Sequence, residues 1–173
     1  MAADTLINDF ELPFQLYDVL GTEHLTEHPK FAEHSRETFD AVLDTANKIA
    51  TNLFLPHNHI ADKNEPQFDG KKVSMISDVK VAFDAFRESG FIAGRYSFDD
   101  GGMQLPETVM TAVAGYFMAA NPSTTAYPFL TTAAINVISH FASDEIKNAF
   151  MPRMLTGEFT GTMALTEPHA GSS

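Results

Sequence analysis

The chain has 173 residues, 44% of them hydrophobic and 15 of them phenylalanine, which is enough for one domain with a real core and excludes intrinsic disorder. A formal net charge of −12 works against a diffuse basic surface for nucleic acid or an anionic membrane, and the absence of cysteine excludes disulfides, zinc–thiolate sites and thiol catalysis. No apolar run reaches the length of a membrane span, and the start, Met1-Ala-Ala-Asp-Thr-Leu, has neither the basic nor the apolar region of a secretory leader, so the expectation is a cytoplasmic protein with no membrane insertion.

In chain order, residues 1–30 form a lead-in segment. Apolar positions at Phe10, Leu12, Phe14, Leu16 and Leu20 begin as an alternating, extended run, and Pro13 to Leu20 reads as a short helix ended by Gly21. From about Phe31 to Leu55, Phe39, Val42, Leu43, Ala46, Ile49, Ala50 and Leu53 follow the three-and-four spacing of one helical face. Pro56 should stop that helix. The stretch from Pro56 to Lys72, rich in Asn, Asp and Gly, reads as a long polar loop. A second helix runs from about Ser77 to Ser89 with Gly90 as its stop, and Asp99-Asp-Gly-Gly102 marks a turn. A third helix opens on Pro106 and reaches about Ala120. Asn121-Pro-Ser123 should break the chain before a fourth helix, from Pro128 to Phe141. Ser143 caps a fifth through Ile146, Phe150, Met154 and Leu155, ended by Gly157, with Pro152 tightening or kinking it. Residues 31–157 are therefore expected to be almost wholly helical, with no sheet.

The final stretch, Gly161-Thr-Met-Ala-Leu-Thr-Glu-Pro-His-Ala-Gly-Ser-Ser173, reads as a strand running into a hydroxyl-rich loop, with Phe159, Met163 and Leu165 on one side and Thr160, Thr162, Ala164 and Thr166 on the other. Its open N–H groups and hydroxyls can grip the edge of a planar heterocycle or a phosphate without carrying charge. Ala164-Leu-Thr-Glu-Pro-His-Ala-Gly-Ser-Ser173 closely resembles the flavin-binding signature of the acyl-CoA dehydrogenase family, departing only at Ser173, where Asp is common. Upstream, Asp100-Gly-Gly-Met-Gln-Leu-Pro106 resembles the family's Gly-Gly loop, and Phe141-Ala-Ser-Asp-Glu-Ile-Lys147 with Met154-Leu-Thr-Gly-Glu158 is similar to the helix before its flavin strand. Pro56-His-Asn58, Asp62-Lys-Asn-Glu-Pro66 and the long lead-in resemble larger members acting on methylthiopropanoyl-CoA or similar short acyl thioesters.

The resemblance implies a mainly α fold: a lead-in over residues 1–30, an N-terminal helical domain over 31–157, and the first strand of a flavin-binding β domain over 158–173. It implies FAD as cofactor, an acyl-CoA substrate, an electron-transfer acceptor as partner and a homo-oligomer. Carried over residue by residue, Met163 packs on the isoalloxazine. Leu165 and Thr166 hydrogen-bond its pyrimidine edge, and Gly171 and Ser172 approach cofactor phosphates or the thioester chain. Tyr127, Leu130 and Thr131 line the acyl channel. The family's reaction removes an α-proton with a carboxylate and a β-hydrogen as hydride to flavin, and the resemblance puts that carboxylate beyond residue 173, so no residue here is assigned as the catalytic base.

Other readings remain open on the residues alone. Leu130 can be plain core and Tyr127 a helix-start anchor. The chain can be a non-catalytic helical interaction module, or part of an oxidase-like flavoprotein. Among its seven histidines, His24, His28 and His34, or His57 with His59 in the polar loop, lack the converging partners that a metal site needs, so no metal is expected. Dinucleotide and phosphate loops and the nucleophile elbow are missing.

Overall fold

Why the helices begin and end where they do follows from their caps. The computed structural model of the protein describes residues 6–164 and 167–169; Leu165, Thr166, Gly171 and Ser172, assigned above to the cofactor site, lie outside the described residues. Helix α1 runs over Glu11–Pro13 and continues as the π-helical turn Phe14–Val19. Short 3-10 turns, Thr22–Glu27 and Pro29–Phe31, lead to α2, Arg36–Ile49, where the Ser35 hydroxyl accepts from the Thr38 N–H and Thr38 reciprocates as a capping box. The chain stays helical through Ala50–Phe54 and Leu55–His57 into α3, Asn58–Lys63. Two short strands, β1 (Gln67–Phe68) and β2 (Val73–Ser74), pair antiparallel. Helices α4 (Ser77–Glu88), α5 (Glu107–Ala120), α6 (Pro122–Phe141) and α7 (Asp144–Leu155) complete the order. The predicted stops Gly21, Gly90 and Gly157 have φ of +58°, +77° and +70°, the left-handed conformation that ends a helix without a Cβ penalty.

Several expectations need correction, three of them about proline. Pro56 does not stop α2. It sits in the first turn of a 3-10 segment, where its missing N–H has no partner to lose, and the expected polar loop holds α3 and the β-ribbon instead. The helical region thus contains a small sheet, its turn held by Asp69 Oδ1 accepting from the Lys71 and Lys72 N–H at 2.9 and 2.8 Å. The break after α5 falls at Asn121, which is extended as expected, but α6 begins at Pro122 rather than Pro128: Asn121 is its N-cap, accepting from Thr124 N–H at 3.0 Å, and Pro128 lies inside that helix. Pro106 is the N-cap of α5, one residue outside its expected place. Helix α1 also starts earlier than Pro13, because Asn8 Oδ1 accepts from the N–H groups of Phe10 and Glu11. The expected tail strand has no ladder over 160–164; Glu167 alone makes a bridge. An extended segment needs a paired neighbour to be a strand, and none lies beside it among the described residues.

The core forms where α2 and its extension, α4 and α5 meet. Phe54, Phe86 and Phe117 are nearly fully buried and pack edge to face, Phe54–Phe117 at 4.8 Å and Phe86–Phe117 at 4.7 Å, with Phe91 completing the cluster 5.5 Å from Phe86, the geometry that ring quadrupoles favour. Polar side chains join α2 to α6 beside it. His57 is buried; its Nδ1–H donates to Leu53 O at 2.7 Å, so Nε2 accepts from the Thr124 hydroxyl at 2.8 Å. Asn121 Nδ2 donates to Phe54 O at 3.1 Å. The helix distortion before Pro56 leaves main-chain carbonyls in need of partners, and these two side chains supply them.

Candidate functional site

One turn of α6 faces two features at once. Phe129 and Thr132 wall an open cavity of about 280 Å³, lined on its other sides by Phe86 of α4, Phe91 and Arg95 of the following loop, and Glu107, Met110, Thr111, Val113 and Ala114 of α5. Its walls are mainly apolar, and its size lies at the lower edge of the ~300–1,000 Å³ usual for ligand pockets. At its border Arg95 Nη2 stands 3.2 Å from Glu107 Oε1. The Arg95 Nε is buried without a hydrogen-bond partner.

The loop carrying Arg95 is fixed by close main-chain packing. Gly102 N–H donates to Ser97 O at 2.8 Å, Gln104 N–H to Tyr96 O at 2.8 Å and Leu105 N–H to Gly94 O at 2.9 Å. A Cβ at Gly102 would stand 2.2 Å from Tyr96 O and 2.5 Å from Ala93 O, and both atoms are backbone, so only glycine fits. The Gly-Gly pair that reads as a turn in the sequence is therefore also the reason the chain can fold back and hold Arg95 at the cavity. His34 ties the same loop to the segment before α2: it hydrogen-bonds Gln104 O through Nε2 at 3.1 Å and packs between Phe39 and Phe98.

The adjacent face of the same α6 turn carries the tail. The buried Thr131 Oγ1 donates to Tyr127 O and accepts from Gly161 N–H at 3.1 Å. A Cβ on Gly161 would lie 2.5 Å from Ala134 Cβ and 3.3 Å from Leu130 O, so the segment lies flush on the helix because it has no side chain there. Behind it Arg153 stacks on Phe159 at 4.0 Å and pairs with Glu158. That pair draws the Glu158 carboxyl below its ordinary value, chiefly through the Arg153 hydrogen bond. Beyond Gly161, Thr162, Met163 and Ala164 are exposed, and their main-chain groups take no main-chain partner among the described residues.

The assigned site residues divide accordingly. Thr131 and Leu130 meet the tail rather than the cavity. Tyr127 is half-exposed and lines a separate cleft with Ala61, Asp62, Glu65, Ile76, Val79 and Thr124. Met163 projects from the open part of the tail, 58% exposed. Phe129, Thr132 and Arg95 were not singled out from the sequence. The i, i+3 spacing of Phe129 and Thr132, continued by the core-facing Ile135, and a lone cation after the apolar run Phe91-Ile-Ala93 are the signals that point to them. Histidines 57 and 59 sit on a helical turn and on α3, not in a loop. Among the described residues no three His, Asp or Glu side chains gather as a metal set, and no helix is long and apolar enough to cross a membrane.

Residues 36–158 match the family model for the acyl-CoA dehydrogenase N-terminal domain. The chain belongs to the acyl-CoA dehydrogenase family. It is similar to a 3-methylmercaptopropionyl-CoA dehydrogenase of Ruegeria pomeroyi, 30% identical over 160 residues, covering 89% of this chain and 27% of that protein. It is also similar to a butyryl-CoA dehydrogenase of Syntrophomonas wolfei, 32% identical over 139 residues, covering 79% of this chain and 23% of the other. A broad-specificity linear acyl-CoA dehydrogenase of Mycobacterium tuberculosis is 28% identical over 163 residues, covering 92% and 26%. The chain thus spans about a quarter of the length of these relatives. The matched range starts at the first residue of α2 and ends in the turn after α7, so the helical region is the N-terminal domain of this family, and the tail follows it directly.

Proposed function

We propose that this chain is the N-terminal part of an FAD-dependent dehydrogenase that introduces an α,β double bond into a short acyl-CoA thioester. The observation that carries the reading is the double use of one α6 turn: Phe129 and Thr132 wall the apolar cavity while Thr131, between them, pins the signature-bearing tail. A substrate's acyl chain and the edge of a cofactor must be held in fixed relation for hydrogen transfer, and a single helical turn gives a rigid reference for both. The relatives are named for 3-methylmercaptopropionyl-CoA and butyryl-CoA, and the small cavity agrees with acyl groups of that size.

The residues present suit a flavin. An exposed methionine offers a soft, polarizable surface for a ring system, and the main chain at Thr162, Met163 and Ala164, which takes no main-chain partner among the described residues, offers amide groups to a heterocycle edge. In this reading Met163, Leu165, Thr166, Gly171 and Ser172 would hold FAD, which when bound supplies the two-electron acceptor for the β-hydride. The chain's own residues orient and exclude. The phenylalanines and Met110 take the acyl chain out of water, Thr131 fixes the tail, and Tyr127 stands at the neighbouring cleft. Glu107 is exposed and paired with Arg95, so it is not assigned as base. The exposed Val137, Phe141, Ile146 and Phe150 around the α6–α7 turn support a homo-oligomer or a contact with further parts of the protein. A cytoplasmic location and an electron-transfer acceptor complete the reading.

The test is dye reduction by the full-length protein. Flavin bleaching and enoyl-CoA formation with butyryl-CoA or methylthiopropanoyl-CoA are expected. Loss of turnover without loss of flavin on changing Phe129 to Asp would tie the cavity to the acyl group. A flavin-free full-length protein that turns over no acyl-CoA would overturn the reading in favour of a non-catalytic module.

A further inference from the structure

The cavity between α4, α5 and α6 has an exposed rim and a buried floor. Glu107 and Thr111 are exposed and Phe129 is 37% exposed, whereas Phe86, Phe91, Met110 and Val113 are each 5% exposed or less. A chain that enters from solvent and keeps a polar head at the mouth therefore meets these four side chains last. Three of them do not yield. Phe86 and Phe91 stand edge to face at 5.5 Å, and both pack on Phe117. Val113 is β-branched on a helix, which holds it to one rotamer. Met110 is different: it is unbranched, with a freely rotating, polarizable thioether that fills whatever gap it is given.

Gly94 decides where that thioether lies. A Cβ at Gly94 would stand 2.6 Å from Met110 Sδ and 2.8 Å from Met110 Cε. Gly94 is buried and its φ is not left-handed, so the backbone does not require glycine there; the space does. Gly94 O accepts from Leu105 N–H at 2.9 Å, and Met110 N–H donates to Pro106 O at 3.1 Å, which fixes the loop and the start of α5 to one another. The thioether end thus rests in a notch that a single methyl group would fill. With the notch filled, the end of Met110 has the open cavity to turn into. With Met110 shortened, the notch becomes part of the cavity.

We propose that Met110, seated in the notch left by Gly94, is the floor that sets how long an acyl chain the cavity accepts. Met110 is thereby a specificity-determining residue, and Gly94 a positioning residue that acts through it. This rests on reading the cavity as the acyl pocket.

The test measures Kd of butanoyl, hexanoyl and octanoyl N-acetylcysteamine thioesters for this chain, from chemical shifts of Val113, Ala114 and Phe129. A methylene that enters an apolar site tightens binding roughly fourfold, and one that meets a wall adds nothing. In Met110→Ala, which removes Sδ and Cε, the octanoyl-to-hexanoyl preference should rise roughly tenfold. In Gly94→Ala, hexanoyl should lose most of its advantage over butanoyl. The double variant should return to the ratios of Met110→Ala, because no thioether is left to displace. A general loosening of the fold would move all three ligands together and would not give opposite shifts. A chain-length ratio that stays native in either single variant, while cavity resonances still respond, overturns the proposal and leaves the acyl-pocket reading standing. Should one single variant not fold, the other decides. Should neither fold, Met110→Leu decides, a volume-conserving exchange that cores accept and that ends one atom short of Cε. Octanoyl should gain on hexanoyl there, and an unchanged ratio overturns the proposal. Thioesters that shift no cavity residue overturn both.

Discussion

Thr131 and Gly161 show how little chemistry fixes the tail: one hydroxyl and one missing side chain. Thr131→Val keeps the shape and removes the acceptor of the Gly161 N–H. It should cost about 1 kcal/mol, felt locally. Hydrogen exchange at Gly161 should accelerate while the melting temperature barely moves; a protected Gly161 amide in that variant would show that Thr131 does not hold the tail. Gly161→Ala puts a Cβ 2.5 Å from Ala134 Cβ, in the body of a helix that cannot yield, and should release the tail more completely. Sequence reading found the tail from its motif. It could not find the clasp, because Thr131 looks in one dimension like any helix threonine, and because Gly161 carries no turn signal. The close approach that requires glycine exists only once α6 is in place. The same holds for His57. In sequence it is one of two histidines in a polar stretch, whereas in space its two ring nitrogens bridge Leu53 O and Thr124 Oγ1.

Among the elements, helix boundaries were readable wherever a cap or a stopping glycine acts locally, as at Ser143, Gly90 and Gly157, and misread wherever proline was given one meaning. Pro56 sits in the first turn of a 3-10 segment and Pro122 in the first turn of α6, while Pro128 and Pro152 lie inside helices. What decides the start of α6 is Asn121, fully buried, which caps Thr124 N–H and also donates to Phe54 O at 3.1 Å. Asn121→Ala removes a cap and orphans a buried carbonyl together. A loss of about 3 kcal/mol is expected, which lowers the melting temperature by roughly 6–12 °C for a domain of this size; a drop under 2 °C, about half a kcal/mol, would mean the cap is dispensable.

Helix α1 is docked to α2 by a different device. The buried Tyr17 hydroxyl donates to Asp40 Oδ1 at 2.6 Å, and the Arg36 guanidinium stacks 4.0 Å over its ring. Burial first, and the Asp40 hydrogen bond second, push the phenol well above its ordinary value; burial also raises Tyr96 and Tyr116. The folded state therefore holds these protons more tightly than the unfolded chain. Their stabilisation is full below the ordinary tyrosine pKa of about 10 and is lost as pH rises toward the folded values. Urea midpoints should fall steeply above pH ~10, each phenol contributing up to about 1.4 kcal/mol per pH unit. Tyr17→Phe should make that slope shallower, and an unchanged slope would place the Tyr17 proton outside the linkage.

For the whole molecule, composition and periodicity give a helical domain with a phenylalanine-rich core, and that much was legible before any fold: the five longer helices, the aromatic abundance and the block order all follow from local pattern. The cavity was not legible, because its walls come from α4, α5, α6 and the loop between α4 and α5, and no short-range signal joins Phe86 to Phe129. Catalytic competence belongs to this scale too. Removing an α-proton from a thioester needs a base within hydrogen-bond reach and pre-set geometry. Among the described residues the one carboxylate lining the cavity, Glu107, is exposed and tied to Arg95. Among the described residues of the tail, Thr162, Met163 and Ala164 are exposed, whereas retaining a cofactor needs enough converging contacts to exceed the entropy lost on binding. Residues 1–173 by themselves are therefore expected to fold, to bind short acyl thioesters weakly in the cavity, and to leave purification colourless and without dehydrogenase activity. Adding FAD and butyryl-CoA to the purified chain with a dye acceptor is the measurement. A stable yellow protein that reduces the dye would show that a base and a full flavin wall are both present within these residues, and Glu107, freed from Arg95, would then be the first group to test by exchange for Gln.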